Sequence, residues 1–219
     1  YAFTMCGRVL QVAMKRKADH EARLILDGEY RDRYNLAPTQ DAVTIHQADG
    51  SMAASMRRWG LIPSWAKDPS IGTRLINARA ETLAEKPSFR AAFKRSRVVV
   101  PVSGFYEWAM IGGRKRPYCI KPADDGLWML GGLSETWQGP EGPVESFTII
   151  TTTANAAMAE LHDRMPVILG AGDWQAWLDP EAAVADLHGL LKPCPVDWLE
   201  AYEVGSAVGN VRNDGSELI

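Results

Sequence analysis

Apolar residues recur in alternating or continuous runs along most of this 219-residue chain. The runs fall at 7–12, 42–46, 52–59, 98–108, 118–121, 127–133, 146–152 and 165–169, and segments of this length and period predict strands. Gly112-Gly113 and Gly139-Pro140 lie between runs and supply turn chemistry. A helical period is rarer: it predicts helices over 18–26, 82–96 with Pro87 interrupting, 155–161, 173–178 and 180–191. Asp173 and Asp179 stand where the N-caps of the last two belong. Strands and helices do not alternate regularly, which argues against a doubly wound parallel sheet. The pattern therefore predicts one α+β domain over residues 5–219, with mainly antiparallel, curled or barrel-like sheets and short flanking helices.

Composition narrows the class. Hydrophobic content of 46% and charged content of 23% are those of an ordinary globular chain. No run approaches the roughly 18 apolar residues of a membrane span, and no signal-peptide core precedes the first strand. A cytoplasmic protein without membrane contact is expected. Three cysteines without a CxxC spacing and four histidines without an HxxH or HxxxH pair predict a reduced compartment, no structural metal and no cofactor. A net charge of −3 argues against a uniformly basic surface, but local charge is what meets phosphates. Basic clusters lie at 15–17, 57–58, 90–97 and 114–116; each, taken alone, reads as solvated surface.

Several polar residues stand where a plain strand has no use for them. Glu107 follows an apolar run and is flanked by Tyr106 and Trp108. A carboxylate desolvated among aromatics gains proton affinity and suits acid–base work, whereas one at a strand end points into water; the segment alone leaves both open. His162, Asp163 and Arg164 follow a short predicted helix and combine a proton carrier with a phosphate-binding fork, although a lone histidine is more often structural. Asn77, Arg79 and Glu81 share one side if their segment is extended. Trp59, Pro63 and Trp65, beside Arg57, Arg58 and Lys67, fit either a core or a stacking surface for single-stranded nucleic acid. Cys119 reads as a small buried hydrophobe and Cys194 as a loop residue.

The ordered segments MCGR, RYNLAPTQ, RWGLIPSWAKD, INARAET, PSFR, RVVVPVSGFYEW, ITTTAN and HDRMPVIL resemble the SRAP family of abasic-site processing proteins. The resemblance implies covalent capture of abasic sites in single-stranded DNA by an amino-terminal cysteine, and a place in the DNA damage (SOS) response. In that chemistry the α-amine condenses with the ring-opened aldehyde and the thiol closes a thiazolidine. It implies Cys6 as the nucleophile, Asn77 orienting the reacting centre, Glu107 as acid and base, and His162 assisting ring opening. It assigns Arg79 and Arg164 to the phosphates flanking the lesion, and Arg8, Pro38, Trp65, Arg90, Trp108 and Thr151 to further contacts with the strand. Residues 1–4 then read as an expression remnant ahead of Met5, and they block the amine of Cys6 unless removed. The partner expected is abasic single-stranded DNA, the protein a monomer, cytoplasmic and nucleoid-associated in a bacterium. Two other classes fit the same residues: an N-terminal-nucleophile amidohydrolase or peptidase, self-processing included, and a non-catalytic reader of single strands or modified bases.

Overall fold

The computed structural model describes residues 6–219; the reading of residues 1–4 as a remnant and of Met5 as the start lies outside them. Among the described residues the strands are β1 (Val9–Gln11), β2 (Arg33–Leu36), β3 (Asp41–Ala48), β4 (Ser51–Trp59), β5 (Asn77–Arg79), β6 (Arg97–Val102), β7 (Gly104–Ile111), β8 (Arg114–Pro122), β9 (Trp128–Gly139), β10 (Gly142–Thr153), β11 (Arg164–Pro166), β12 (Ile168–Leu169) and β13 (Leu199–Glu203). The helices are short: α1 (Met14–Lys17), α2 (His20–Ile25), α3 (Arg90–Arg95), α4 (Ala156–Ala159), α5 (Asp173–Leu178) and α6 (Val184–Leu190).

Five strands close on themselves. β10 pairs with β4, β4 with β3, β3 with β6, β6 with β9, and β9 with β10 again, which completes a ring without a free edge. All these pairs are antiparallel except β10–β4. A second, five-stranded sheet runs in the order β13-β8-β7-β1-β2. The expected α+β domain with curled, mainly antiparallel sheets is thus the observed one.

The alternation along β6 explains how the two sheets share residues. Val98, Val100 and Val102 enter a core with Val9, Leu36, Phe105 and Ile120 of the second sheet, while Val99 joins a core with Phe93, Trp174 and Trp177 of the helices. Successive strand side chains face opposite ways, so one strand with both faces covered feeds two cores. Gln11 then fastens β1 to the ring. Its amide donates to the carbonyls of Val43 and Pro101, each at 2.9 Å, and accepts from Val43 N–H at 3.0 Å.

Several local expectations need correction. The apolar run 98–108 is two strands in different sheets, broken at Ser103. Gly104 allows the crossing, because a Cβ there would lie 2.7 Å from the carbonyl oxygen of Ile120. The segments of β2 and β13 are strands that the pattern did not predict; both are only partly apolar. The helix expected over 82–96 contracts to α3, and that expected over 180–191 contracts to α6. Neither aspartate caps as expected. Asp173 is the first residue of α5, and Asp179 is its C-cap, whose carboxylate turns forward to the N–H of Glu181. Trp59 is fully buried and Pro63 is buried too, so of the expected aromatic surface only Trp65 is exposed.

Two of the basic clusters also hide buried cations. Arg57 donates to Thr44 Oγ1 at 2.6 Å and meets His46 Nδ1 at 3.1 Å, with Glu145 at 3.5 Å. Arg97 donates to the carbonyls of Trp177, Phe93, Lys94 and Asp179, and so ties the ends of α3 and α5 to β6. These are internal fasteners rather than solvated charge.

Candidate active site

Glu107 lies in the fourth position of β7 and is only 5% exposed. Antiparallel pairing sets Val9 opposite Phe105 and Leu10 opposite Gly104, and Tyr106 N–H reaches the carbonyl of Arg8 at 3.0 Å. Continuing that register brings the residues before β1 alongside Glu107. The Cys6 backbone N–H donates to Glu107 Oε2 at 3.1 Å, and Trp108 N–H donates to Oε1 at 3.0 Å.

Burial sets the proton affinity of this carboxyl. Loss of water pushes Glu107 above its ordinary range, against the pull of the two backbone N–H bonds and the nearby His162. The same desolvation, reinforced by the charge of Glu107, pushes the Cys6 thiol well up, so it is held protonated. Cys6 has φ +49°, a left-handed conformation that a non-glycine residue adopts at a cost of about 1 kcal/mol. Its side chain packs in the core that also holds Ile76, Ile149, Met158 and Met165.

These neighbours link Cys6 to a second group of residues. The first part of β10 closes the ring, while its end runs between β5 and β11. There Ile149 pairs with Asn77 and Thr151 with Arg79 on one side, and Thr153 pairs with Arg164 on the other. These two short strand pairings collect Asn77, Arg79, Thr151 and Arg164 at one end of the ring. Arg79 is exposed and Thr151 is buried.

Arg164 donates from Nη1 and Nη2 to the two oxygens of Glu81, both at 3.0 Å. Its Nε reaches Thr151 Oγ1 at 3.3 Å and its Nη2 the Thr151 carbonyl at 2.7 Å. The ion pair holds Glu81 below the usual carboxylate range against the opposing effect of partial burial. Sequence reasoning gave Glu81 no role; the signal available was its spacing from Asn77 and Arg79.

His162 follows α4, and its N–H is held by the carbonyl of Met158 at 2.8 Å. Asn155 starts that helix by accepting from Met158 N–H at 3.0 Å. His162 Nδ1 lies 3.1 Å from the N–H of Arg164 and 2.9 Å from Asp163 Oδ1. The two partners suit different protonation states. A neutral ring accepts from Arg164 and carries its proton on Nε2, whereas a protonated ring can donate to Asp163.

Not every candidate joins this group. Arg8 lies beside it, with its guanidinium 6.0 Å from the centroid of Trp108 and Nη1 bonded to the carbonyl of Gly7. Trp65, 58% exposed, projects from the loop that packs Ile62 and Ala66 against Trp137. Arg90 is exposed at the start of α3, and Pro38 is half-buried in the turn between β2 and β3. Among the described residues no hydrogen bond or ion pair joins these last three to Cys6, Glu107 or His162.

This arrangement joins a thiol, a backbone nitrogen, a desolvated carboxyl and an imidazole, beside a patch carrying two arginines. Comparison with known proteins identifies the family. The sequence profile of the SOS response associated peptidase (SRAP) family matches residues 5–211. The abasic site processing protein YoqW of Bacillus subtilis is 45% identical over 196 residues, 88% of either chain. The abasic site processing protein HMCES of Gallus gallus is 32% identical over 98% of this chain and 77% of its own. A crystal structure of a protein from Bacteroides thetaiotaomicron superposes with a TM-score of 0.77 at 28% identity, over 93% of this chain and 91% of that one. With Cys6, Glu107 and the arginine patch inside the matched span, the chain belongs to the SRAP family of abasic site processing proteins.

Proposed function

We propose that this protein captures abasic sites in single-stranded DNA through a thiazolidine between the lesion and Cys6, once Cys6 is the first residue. The observation that carries the reading is the 3.1 Å contact from the Cys6 backbone nitrogen to Glu107. When residue 6 is amino-terminal, that nitrogen is an amine, and a buried carboxyl of raised proton affinity is already bonded to it.

The steps follow from the groups present. Glu107 takes a proton from the ammonium, and the neutral amine adds to the C1 aldehyde of the opened sugar. Glu107 returns the proton to the departing hydroxyl, so water leaves and an iminium forms. The Cys6 thiol, held protonated until then, gives its proton to the carboxylate as sulfur adds to the iminium carbon. The net change is one C–N and one C–S bond with loss of one water. His162, whose charge acts on Glu107, is suited to deliver the proton that opens the sugar, with Nε2 as donor. Asn77 orients the opened sugar; Arg79 and Arg164 take flanking phosphates, with Thr151 bracing Arg164. Arg8, Trp108, Trp65, Pro38 and Arg90 extend the strand contact. We read the protein as a cytoplasmic monomer that acts in the DNA damage response.

A second reading concerns release of the leader. The left-handed Cys6 places a strained residue after the bond to be cut, and Glu107 sits on the nitrogen that would leave. Attack of the thiol on the preceding carbonyl breaks the amide C–N bond as Glu107 gives its proton to that nitrogen and takes up the thiol's, leaving a thioester that water hydrolyses. Cys6 then carries the free amine that the capture reaction requires.

The test compares protein that retains residues 1–5 with protein that begins at Cys6. An amide nitrogen, its lone pair delocalised, cannot form an imine. The extended form is expected to bind abasic DNA without a denaturant-stable adduct, and the form starting at Cys6 to give one. Intact-mass spectrometry before and after incubation distinguishes them. A stable adduct on protein that keeps its full mass would rule out the amine as the reactive group.

A further inference from the structure

The forked edge of Arg164 is already occupied. Glu81 takes one hydrogen bond from each terminal nitrogen, the same bidentate geometry a phosphate uses. Arg164 does not depend on this carboxylate for its orientation, because Thr151 holds it from a different direction through Nε and Nη2. Thr151 sits on β10, hydrogen-bonded between β5 and β11, and is a rigid anchor. The Glu81 side chain is 46% exposed against 17% for Arg164, so the carboxylate lies on the solvent side of the pair. The charge of Arg79 also acts on Glu81. One anion is therefore paired with one of the two cations that the reading above gives to the DNA backbone, and lies in the field of the other.

We propose that Glu81 is an internal stand-in for a backbone phosphate, occupying the forked edge of Arg164 in the free protein and displaced when a single strand binds. The inference rests on the reading of this patch as a phosphate site. It assigns Glu81 as a residue that tunes affinity rather than one that holds DNA. A half-exposed ion pair stabilises a fold little, so the carboxylate can swing aside at small cost. While it remains nearby, the local charge of the Arg79, Glu81 and Arg164 group is +1 rather than +2. Glu81 thus weakens binding to every strand, damaged or intact, and leaves discrimination to the aldehyde chemistry at Cys6.

A strut and a stand-in predict opposite signs, which makes the experiment decisive. Fluorescence anisotropy would compare the unmodified protein with Glu81→Gln on single-stranded oligonucleotides with and without an abasic site, across a salt series. Glu81→Gln is expected to bind both about two- to fivefold more tightly at low salt. The plot of log affinity against log salt should keep about the same slope, since Arg164 grips the same phosphate in both proteins once Glu81 is displaced. In an Arg164→Gln background the gain should shrink, since the fork that Glu81 blocks is gone. Glu81→Ala, with thermal melts to verify folding, should change affinity in the same direction. Weaker or unchanged binding by well-folded Glu81→Gln overturns the stand-in and makes Glu81 a strut. If instead the unmodified protein shows no salt-dependent binding to single strands, the phosphate reading of the patch fails, and the stand-in fails with it.

Discussion

Glu107 and Cys6 lie 101 positions apart in the chain, yet a carboxylate oxygen of one accepts the backbone N–H of the other at 3.1 Å. The contact exists because β1 pairs with β7 in a register that sets Val9 opposite Phe105. It places the nitrogen of residue 6 at the mouth of a dry carboxyl, which no local feature of either segment could arrange.

If that nitrogen and the adjacent thiol act together, Cys6→Ala and Cys6→Ser in protein beginning at residue 6 should abolish the denaturant-stable adduct. Affinity for single-stranded DNA should stay within about threefold, because binding is assigned to the arginine patch. A denaturing gel and an anisotropy titration measure the two. An adduct of normal yield from Cys6→Ala would remove the thiazolidine, leaving at most an imine.

Glu107→Gln keeps the shape and removes the titratable group. Single-turnover crosslinking should slow by about 10²- to 10⁴-fold, the usual contribution of a positioned acid–base group. Comparable slowing in His162→Gln would place the histidine in the same reaction; rates unchanged in both variants would make the two residues structural.

The raised proton affinity of Glu107 has a stability signature of known sign. Its folded pKa lies above the ordinary 4.5, so the folded state binds this proton more tightly than the unfolded chain. The associated stability is fully present below the unfolded value and is lost as pH rises through the folded one. Glu107→Gln should therefore melt higher than the unmodified protein at neutral pH, with the advantage disappearing as pH falls towards 4. Thermal melts across that window measure it; a constant difference at all pH values would deny the desolvation.

Arg97 provides a test of the fold. Its guanidinium satisfies four carbonyls at the ends of α3 and α5. Arg97→Met strands them in a buried place and should cost about 3 kcal/mol or more. At roughly 2–4 °C per kcal/mol, that lowers Tm by about 6–12 °C. Arg97→Lys should recover little, since an ammonium cannot span four acceptors arranged around a planar fork.

Gly104→Ala tests the register that brings Cys6 to Glu107. The added methyl would meet the Ile120 carbonyl, so β7 must shift against β8 or β1. Adduct formation should fall more than DNA binding does. Equal, undiminished activities would mean that the pairing tolerates the shift.

Much of the architecture was legible in the chain because strand side chains alternate regardless of their partners. The runs that became β3, β4, β9 and β10 reveal themselves by that period, and the cysteine, glutamate and histidine by their chemical type and ordered motifs. What the sequence could not specify was pairing. The mostly apolar character of 98 to 108 conceals a change of sheet at Ser103, since residues buried on both faces look alike whichever neighbours bury them. Partly apolar β2 and β13 are strands only because β1 and β8, distant in sequence, lend them hydrogen bonds. Charge is equally silent about place: Arg97 and Arg79 are the same residue type, one 7% exposed and satisfied by carbonyls, the other on the surface at the end of β5. The residue types and their order determined what chemistry the chain can perform. Only the closing of the ring and the docking of β1 on β7 decided that the Cys6 nitrogen meets the Glu107 carboxyl and that Arg79, Thr151 and Arg164 gather at the end of β10, because those contacts join segments whose separation in sequence carries no information about distance.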